Sequence, residues 1–481
     1  MRLASFALAL LGATLLAACA EEQRRPNVLL ITVDTLRADH LGAYGSSAAR
    51  TPHIDRLARE GSLFEQAAAP MPLTRPTHAS ILTARYPREH GVVNNAISLP
   101  DASRTLAEIL LAEGYRTGAF VAVALLSAEA GFAQGFETFH APTTSKQRPA
   151  DEVVPEALEW LAGLSNGEPF FLWTHIFDPH LPYAPPAEYR DAGELAVEGG
   201  LVEVSWPVLR EIARENAGNV PASVLREAKS LYRGEIAYAD HWVGRLLEEV
   251  DRLRGLDDTM VVLTADHGEC FEDGVYFEHS DCLSQAALRV PLIVRHPPEF
   301  AGGARRLGQA SSIDVAPTVL RALGLEGLAD PSGRALQDLD PDENRYVLVQ
   351  YPLYQPRTAR SRFKRQQVIR SVGGEPVTPI LLDAQKVGIV GSSWKYLRSE
   401  NGDELYALDP TEEARESGGA PDVRIELAAE LDRQLKAHPL SVIDAGEIND
   451  ELLETLRVLG YLPDEADAGA SGDAEAKQGP E

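Results

Sequence analysis

Asn27-Val28-Leu29-Leu30-Ile31-Thr32-Val33-Asp34 is an unbroken apolar run that stops on a carboxylate. It has strand length, and its Leu and β-branched residues without polar alternation read as a strand buried on both faces. Met260-Val261-Val262-Leu263-Thr264-Ala265-Asp266-His267 repeats the pattern, again ending on an aspartate. Similar runs lie at Thr117–Val123, Pro169–Ile176 and Pro291–Val294. Between them the spacing predicts helices. One is capped by Thr51 and runs from Pro52 to about Gln66, with Ile54, Leu57 and Ala58 on one face. A second is capped by Ser103 and closed by Gly114, and others cover Asp151–Leu164 and Ala222–Leu253. Strands alternating with helices imply an α/β fold with a doubly wound, mostly parallel sheet. Such sheets bind ligands at the carboxyl ends of their strands. That edge is where Asp34, Asp266 and His267 fall, and two carboxylates with an imidazole make a hard-metal or zinc-type ligand set.

The rest of the chain is read outward from that core. Asp314-Val315-Ala316-Pro317-Thr318 opens one more helix, ending near Gly324, and a Gly/Asp/Pro-rich passage from Gly327 to Asp342 suggests a subdomain boundary. The main domain is therefore expected over 27–326 and a smaller α+β subdomain over 327–462. In the latter, short antiparallel strands at Tyr346–Gln350, Gln385–Val390, Trp394–Arg398 and Glu404–Ala407 precede a helix at Val423–Lys436. Residues 463–481 are acidic, Gly/Ala-rich and without aromatics, the composition of a disordered tail.

Residues 1–18 have a charged start at Arg2 and an apolar stretch from Phe6 to Leu16, the form of an export signal and not of a spanning helix. Leu16-Ala17-Ala18-Cys19 resembles a bacterial lipobox. It implies lipidation of Cys19, a linker over 19–26, and a membrane-anchored lipoprotein of the cell envelope. Cys270 and Cys282 remain; export favours a bridge between them, and two free buried thiols are the alternative. A net charge of −27 argues against nucleic acid as a partner, and requires any anion site to be local. Arg357, Arg360, Arg362, Lys364, Arg365 and Arg370 form a basic run that reads as a solvated loop, a headgroup contact or a substrate rim.

Pro72-Leu73-Thr74-Arg75-Pro76-Thr77-His78-Ala79-Ser80-Ile81-Leu82-Thr83 resembles the signature of sulfatases in the alkaline phosphatase superfamily, with Thr74 at the position of the Cys or Ser that becomes formylglycine. Val33-Asp34-Thr35-Leu36-Arg37 and Thr264-Ala265-Asp266-His267-Gly268-Glu269 are similar to the metal motifs of that superfamily. The stretch Phe170–Tyr183 is similar to its Pro-His-x-Pro strand. The resemblance implies an alkaline-phosphatase-like fold, with Asp34, Thr74, Asp266 and His267 around one divalent cation (Ca, Mn, Mg or Zn). It leaves room for a second metal; Asp178 is either a ligand of that metal or a group that supports the ligands from behind. Threonine cannot form the aldehyde, so no formylglycine is expected and Thr74 itself becomes the nucleophile, activated by the cation. His180, assisted by His279, would protonate the leaving oxygen, and His78, at the signature arginine, would donate to the transferring group or else lie on the helix surface. Thr74 could also cap its own helix, and His175 reads as structural. The sequence departs from the family in two places. Gly118–Val123 lacks the lysine and histidine usual there, and Ser280 stands where a lysine is expected. The implied activity is metal-dependent cleavage of a small sugar, lipid or aryl ester, with phosphate favoured over sulfate. Phosphoethanolamine-transferase-like group transfer and a non-catalytic glycan-binding lipoprotein are the alternatives.

Overall fold

The computed structural model describes residues 25–190, 201–272, 274–280, 282–353, 369–377, 385–409, 413–416, 420–441 and 450–458. The expectations about Cys19, the acidic tail and the basic run from Arg357 to Arg365 lie outside them. No described helix is long and apolar enough to cross a membrane.

The central sheet has eight strands. In chain order they are β1 (Asn27–Val33), β2 (Ser62–Phe64), β3 (Arg116–Phe120), β4 (Thr138–His140), β5 (Phe170–Ile176), β6 (Thr259–Thr264), β7 (Leu292–Arg295) and β8 (Ala304–Arg306). Across the sheet they run β8-β2-β7-β6-β1-β5-β3-β4. All neighbours are parallel except that β7 runs against both β6 and β2. β1, β5 and β6 are buried at every position, which is why their sequences show no polar alternation.

Register decides what meets at the carboxyl edge. Thr32 of β1 lies opposite His175 of β5 on one side and Thr264 of β6 on the other. Two residues further on, Asp34 and Asp266 therefore come level with each other. The Asp34 N–H extends the ladder by donating to the Ile176 carbonyl at 2.8 Å.

Helices α1 (Pro52–Glu60), α2 (Thr74–Thr83), α3 (Leu106–Ala112), α4 (Ala150–Gly163), the long α5 (Ala222–Arg254) and α6 (Val315–Ala322) surround this sheet. α1 ends six residues before the expected Gln66, because Gly61 turns the chain into β2. A Cβ at Gly61 would sit 2.5 Å from the Val294 carbonyl, a closeness that only glycine permits. Nor does Thr51 cap α1; Asp240 of α5 accepts from the amides of His53 and Ile54 at 3.2 and 2.8 Å. In α3 the cap is Thr105, two residues after the expected Ser103. Its hydroxyl accepts from Glu108 N, and Glu108 reaches back to Thr105 N at 2.8 Å.

A second, antiparallel sheet runs β9 (Val347–Gln350), β10 (Lys386–Val390), β11 (Trp394–Ser399), β12 (Gly402–Leu408), β13 (Glu413–Arg415). Leu427 and Leu431 of α7 (Pro421–Ala437) pack on it. Ala68, Leu283, Leu288 and Ile313 of the main body share that core. Lys395 of β11 is buried over the Tyr406 ring, 4.2 Å from its centre, and donates to the Leu283 carbonyl at 2.6 Å.

The capping assignment is testable. Thr105→Ala should lower the urea-unfolding free energy by about 1 kcal/mol, whereas Ser103→Ala should leave it unchanged. Equal effects would return the cap to Ser103.

Candidate active site

The register described above delivers a cluster of buried polar atoms without protein partners. Asp34, Asp266 and His267 are fully buried, and each offers one ligand atom within 4.8 Å of the others. Both Asp34 oxygens, Asp266 Oδ2 and His267 Nε2 lack hydrogen-bond partners. Such groups are costly unless something pairs with them. The surrounding hydrogen bonds leave the lone pairs facing inward. His267 Nδ1 donates to the Gly268 carbonyl at 2.9 Å, so Nε2 presents its lone pair 3.3 Å from Asp266 Oδ2 and 4.0 Å from Asp34 Oδ1. Asp266 Oδ1 accepts from the amides of His267 and Thr35. Thr35 holds a φ of 54°, unusual for a β-branched residue; its carbonyl accepts from the Tyr232 hydroxyl at 2.6 Å. An oxygen-and-nitrogen donor set with two uncompensated carboxylates fits a divalent cation. Asp178 does not join it. Its oxygens accept from Ala150 N at the start of α4 at 3.1 and 3.2 Å, so it is a helix cap and not a ligand of a second metal. Among the described residues this is the one such cluster.

His175 belongs to the site, contrary to the structural reading of the sequence. Its Nδ1 accepts from Ala122 N at 3.3 Å, which puts the proton on Nε2, 3.4 Å from Asp34 Oδ2. The ring is placed to orient that carboxylate. Only the parallel register, setting His175 beside Thr32, carries the signal that finds it.

Thr74 is the first residue of α2, fully buried, and its Oγ1 lacks a partner. The hydroxyl does not cap its own helix, as the sequence allowed. It therefore sits free at a helix N-terminus, where backbone N–H groups favour an anion. His78, one turn later, is not aimed at a transferring group. Nδ1 donates to the Thr74 carbonyl at 2.8 Å, and Nε2 accepts from Thr32 Oγ1 at 3.1 Å. Both nitrogens are thus spent inside the protein. Burial pushes the ring down to about 3, so it is neutral. Its Nδ1 also lies 3.7 Å from Asp266 Oδ2, tying the start of α2 to the carboxylate cluster.

A stack of imidazoles borders the cluster. His279 lies over His267, ring centres 4.3 Å apart, and His180 meets His279 edge-on at 5.2 Å. His180 Nδ1 donates to the Leu181 carbonyl at 2.7 Å, leaving Nε2 without a partner. Burial pushes His180 down to about 3, so at neutral pH Nε2 starts as a proton acceptor and must gain a proton before it can act as the acid expected. Glu269, overlooked in the sequence though it ends the second metal motif, holds this stack. One oxygen faces His279 Nδ1 at 3.3 Å and the other accepts from the Tyr183 hydroxyl at 2.9 Å. Burial raises it to about 7. Cys270 and Cys282 are disulfide-bonded, closing the loop that carries His279.

Burial, and then the charge of Asp266, hold the Asp34 carboxyl well above its ordinary value. Its folded pKa exceeds its unfolded one, so the cation-free protein loses stability as pH rises from the unfolded value toward the folded one. Asp34→Asn removes that penalty. In EDTA the variant should be the more stable protein, by a margin that widens as pH rises above the ordinary carboxylate range, by up to ~1.4 kcal/mol per pH unit. A margin independent of pH in urea titrations would refute this electrostatic account.

Residues 26–325 match the Sulfatase family model. The chain is 24% identical over 451 residues to an N-acetylglucosamine-6-O-sulfatase of Bacteroides thetaiotaomicron, covering 75% of this chain and 80% of that one. It is 27% identical over 367 residues to an ulvan-active sulfatase of Formosa agariphila, covering 68% of each. Among solved structures, the fold is similar to that of a protein in complex with its substrate D-glucosamine-2-N,6-O-disulfate. There the TM-score is 0.69 at 20% identity, covering 88% of this chain and 100% of that one. It is also similar to the phosphonate monoester hydrolase of Agrobacterium radiobacter, with a TM-score of 0.66 at 21% identity, covering 86% and 96%. The chain belongs to the sulfatase family.

Proposed function

We propose that this protein hydrolyses phosphate or sulfate esters of a sugar, lipid or aryl alcohol, using Thr74 as an unmodified nucleophile and a divalent cation at Asp34, Asp266 and His267. The observation that carries the reading is the Thr74 hydroxyl: buried, without a partner, and at the start of a helix whose Thr74 backbone carbonyl is bonded by His78, itself 3.7 Å from the Asp266 carboxylate. A cation held there, with the hydroxyl as a further ligand, would lower the pKa of that hydroxyl and offset charge on the ester.

Thr74 Oγ1 forms the bond to phosphorus or sulfur as its proton leaves, and the bridging ester oxygen departs with the bonding electron pair. His180 Nε2, which begins with a lone pair, takes that proton and passes it to the departing oxygen. Water then bonds to the same centre, Thr74 regains its proton, and phosphate or sulfate is released. His279, held by Glu269, and His175, held by Ala122, position the groups on either side. Phosphorus is favoured because threonine cannot yield the formylglycine aldehyde.

A panel of aryl phosphate, phosphodiester, phosphonate and sulfate esters tests this, each with protein stripped by EDTA and reloaded with Ca, Mn, Mg or Zn. Turnover should require the cation. Thr74→Ala should lose ~10³-fold or more, while Thr74→Ser retains measurable activity, and intact mass should show unmodified threonine. Full activity in Thr74→Ala would exclude Thr74 as the nucleophile.

The lipobox-like Leu16–Cys19 supports a second proposal, that the protein is a lipidated lipoprotein of the cell envelope. Wild type should partition into detergent, and Cys19→Ser should not. Equal partitioning of the two would reject lipidation.

A further inference from the structure

The 10 residues of α2 run from Thr74 to Thr83, and the second end borders a cavity of about 550 Å³. At the rise of an α-helix that end lies roughly 14 Å from Thr74, so the cavity is separate from the carboxylate cluster. Sites for small molecules commonly enclose roughly 300–1,000 Å³. Ile97, Pro100 and Leu328 give this one an apolar lining. Ser103, which does not cap α3, lines it as well.

The unspent charge in its wall is positive. Arg85 and Arg104 both line the cavity, and neither forms an ion pair among the described residues; Arg85 Nη2 donates only to the Ala329 carbonyl, at 2.7 Å. Glu89 is the one carboxylate in the wall, and it is already occupied. Ser332 Oγ lies 2.8 and 2.7 Å from its two oxygens. The Tyr86 amide donates to one of them at 2.8 Å, and His438 Nδ1 lies 3.0 Å from the other. His90 adds no charge. Its Nδ1 accepts from the Val92 amide at 3.1 Å, its Nε2 donates to Ser80 Oγ at 3.0 Å, and burial pushes the ring down to about 3. Other arginines of this chain are spent on carboxylates: Arg37 forks onto Asp39 at 2.9 and 2.7 Å, and Arg345 onto Asp314 at 2.6 and 2.8 Å. With 72 acidic residues against 45 lysines and arginines, two arginines at one cavity without a carboxylate are out of keeping with the rest of the chain.

We propose that this cavity is a second ligand site, apart from the ester-cleaving centre, for a small organic anion of about monosaccharide size. Its sulfate, phosphate or carboxylate group pairs with Arg85 and Arg104, whose guanidinium forks match such oxyanions. Its body lies along Ile97, Pro100 and Leu328. The net charge of −27 repels any anion at long range, so recognition comes from these two side chains at contact. The site does not depend on the hydrolytic reading. A crevice that holds only water is the rival explanation.

Isothermal titration tests this on the full, cation-loaded chain carrying Thr74→Ala, so that ester probes survive. The probes are glucose 6-phosphate, glucose 6-sulfate and glucuronate, which distinguish the three acid groups, with glucose as the neutral control. At least one anion should bind saturably, and glucose should not. Adding Arg85→Gln and Arg104→Gln should remove that binding or weaken it about tenfold or more, the scale of one charge-assisted hydrogen bond. Ser103→Trp, which fills the cavity and leaves both arginines in place, should weaken it too. Absence of saturable binding, or an isotherm unchanged by the arginine substitutions, would overturn the proposal; the second result would assign the anion to the ester-cleaving centre. Unchanged affinity in Ser103→Trp would also overturn it, reducing the two arginines to a diffuse surface charge.

Discussion

Two carboxylates buried side by side, with histidine the only basic side chain in ion-pairing reach among the described residues, are the constraint around which this molecule is organised. Asp34 and Asp266 meet because β1 and β6 are parallel, adjacent and in register, so that one residue of slippage would turn one carboxylate to the other face. Burial makes their charge expensive, and the protein leaves that cost uncompensated by its own side chains. Surface carboxylates could be hydrated; these cannot. A site that is electrostatically unfavourable when empty is one whose cation contributes to holding the fold together.

The groups around the carboxylates are oriented by backbone. Carbonyls of Gly268, Leu181 and Thr74 accept hydrogen bonds from His267, His180 and His78, while the Ala122 amide donates one to His175. Each imidazole is thereby fixed in one tautomer by groups that do not titrate. The result is a division of labour among chemically identical rings. His267 and His180 show lone pairs to the interior, His175 shows a proton, and His78 shows neither.

Much of this was legible in the sequence. Uninterrupted apolar runs ending on Asp34 and Asp266 gave the parallel sheet and its working edge, because burial on both faces removes polar alternation. The motif around Thr74 marked the helix start correctly. What stayed hidden depended on neighbours distant in sequence. Asp240 replaced Thr51 as a cap, and Asp178 caps a helix where the sequence offered either a metal ligand or a group supporting the ligands, since any carboxylate near a free helix terminus can serve. His175 and His78 exchanged expected roles for the same reason. A histidine's function follows from which of its nitrogens is already taken, and no local pattern records that.

The bond from Lys395 to the Leu283 carbonyl bears on where this protein can be divided. The family match ends at residue 325, which suggests a self-sufficient core. Yet the disulfide-closed loop carrying His279 is fastened at Leu283 by a lysine from the second sheet, and Ala68, Leu283 and Leu288 lie under that sheet's side chains. A chain cut at 325 would keep every residue of the carboxylate cluster while uncovering the back of the wall that holds the imidazoles. The second sheet is thus a buttress, and substitutions on its inner face, far from any reacting atom, have a mechanical route into catalysis.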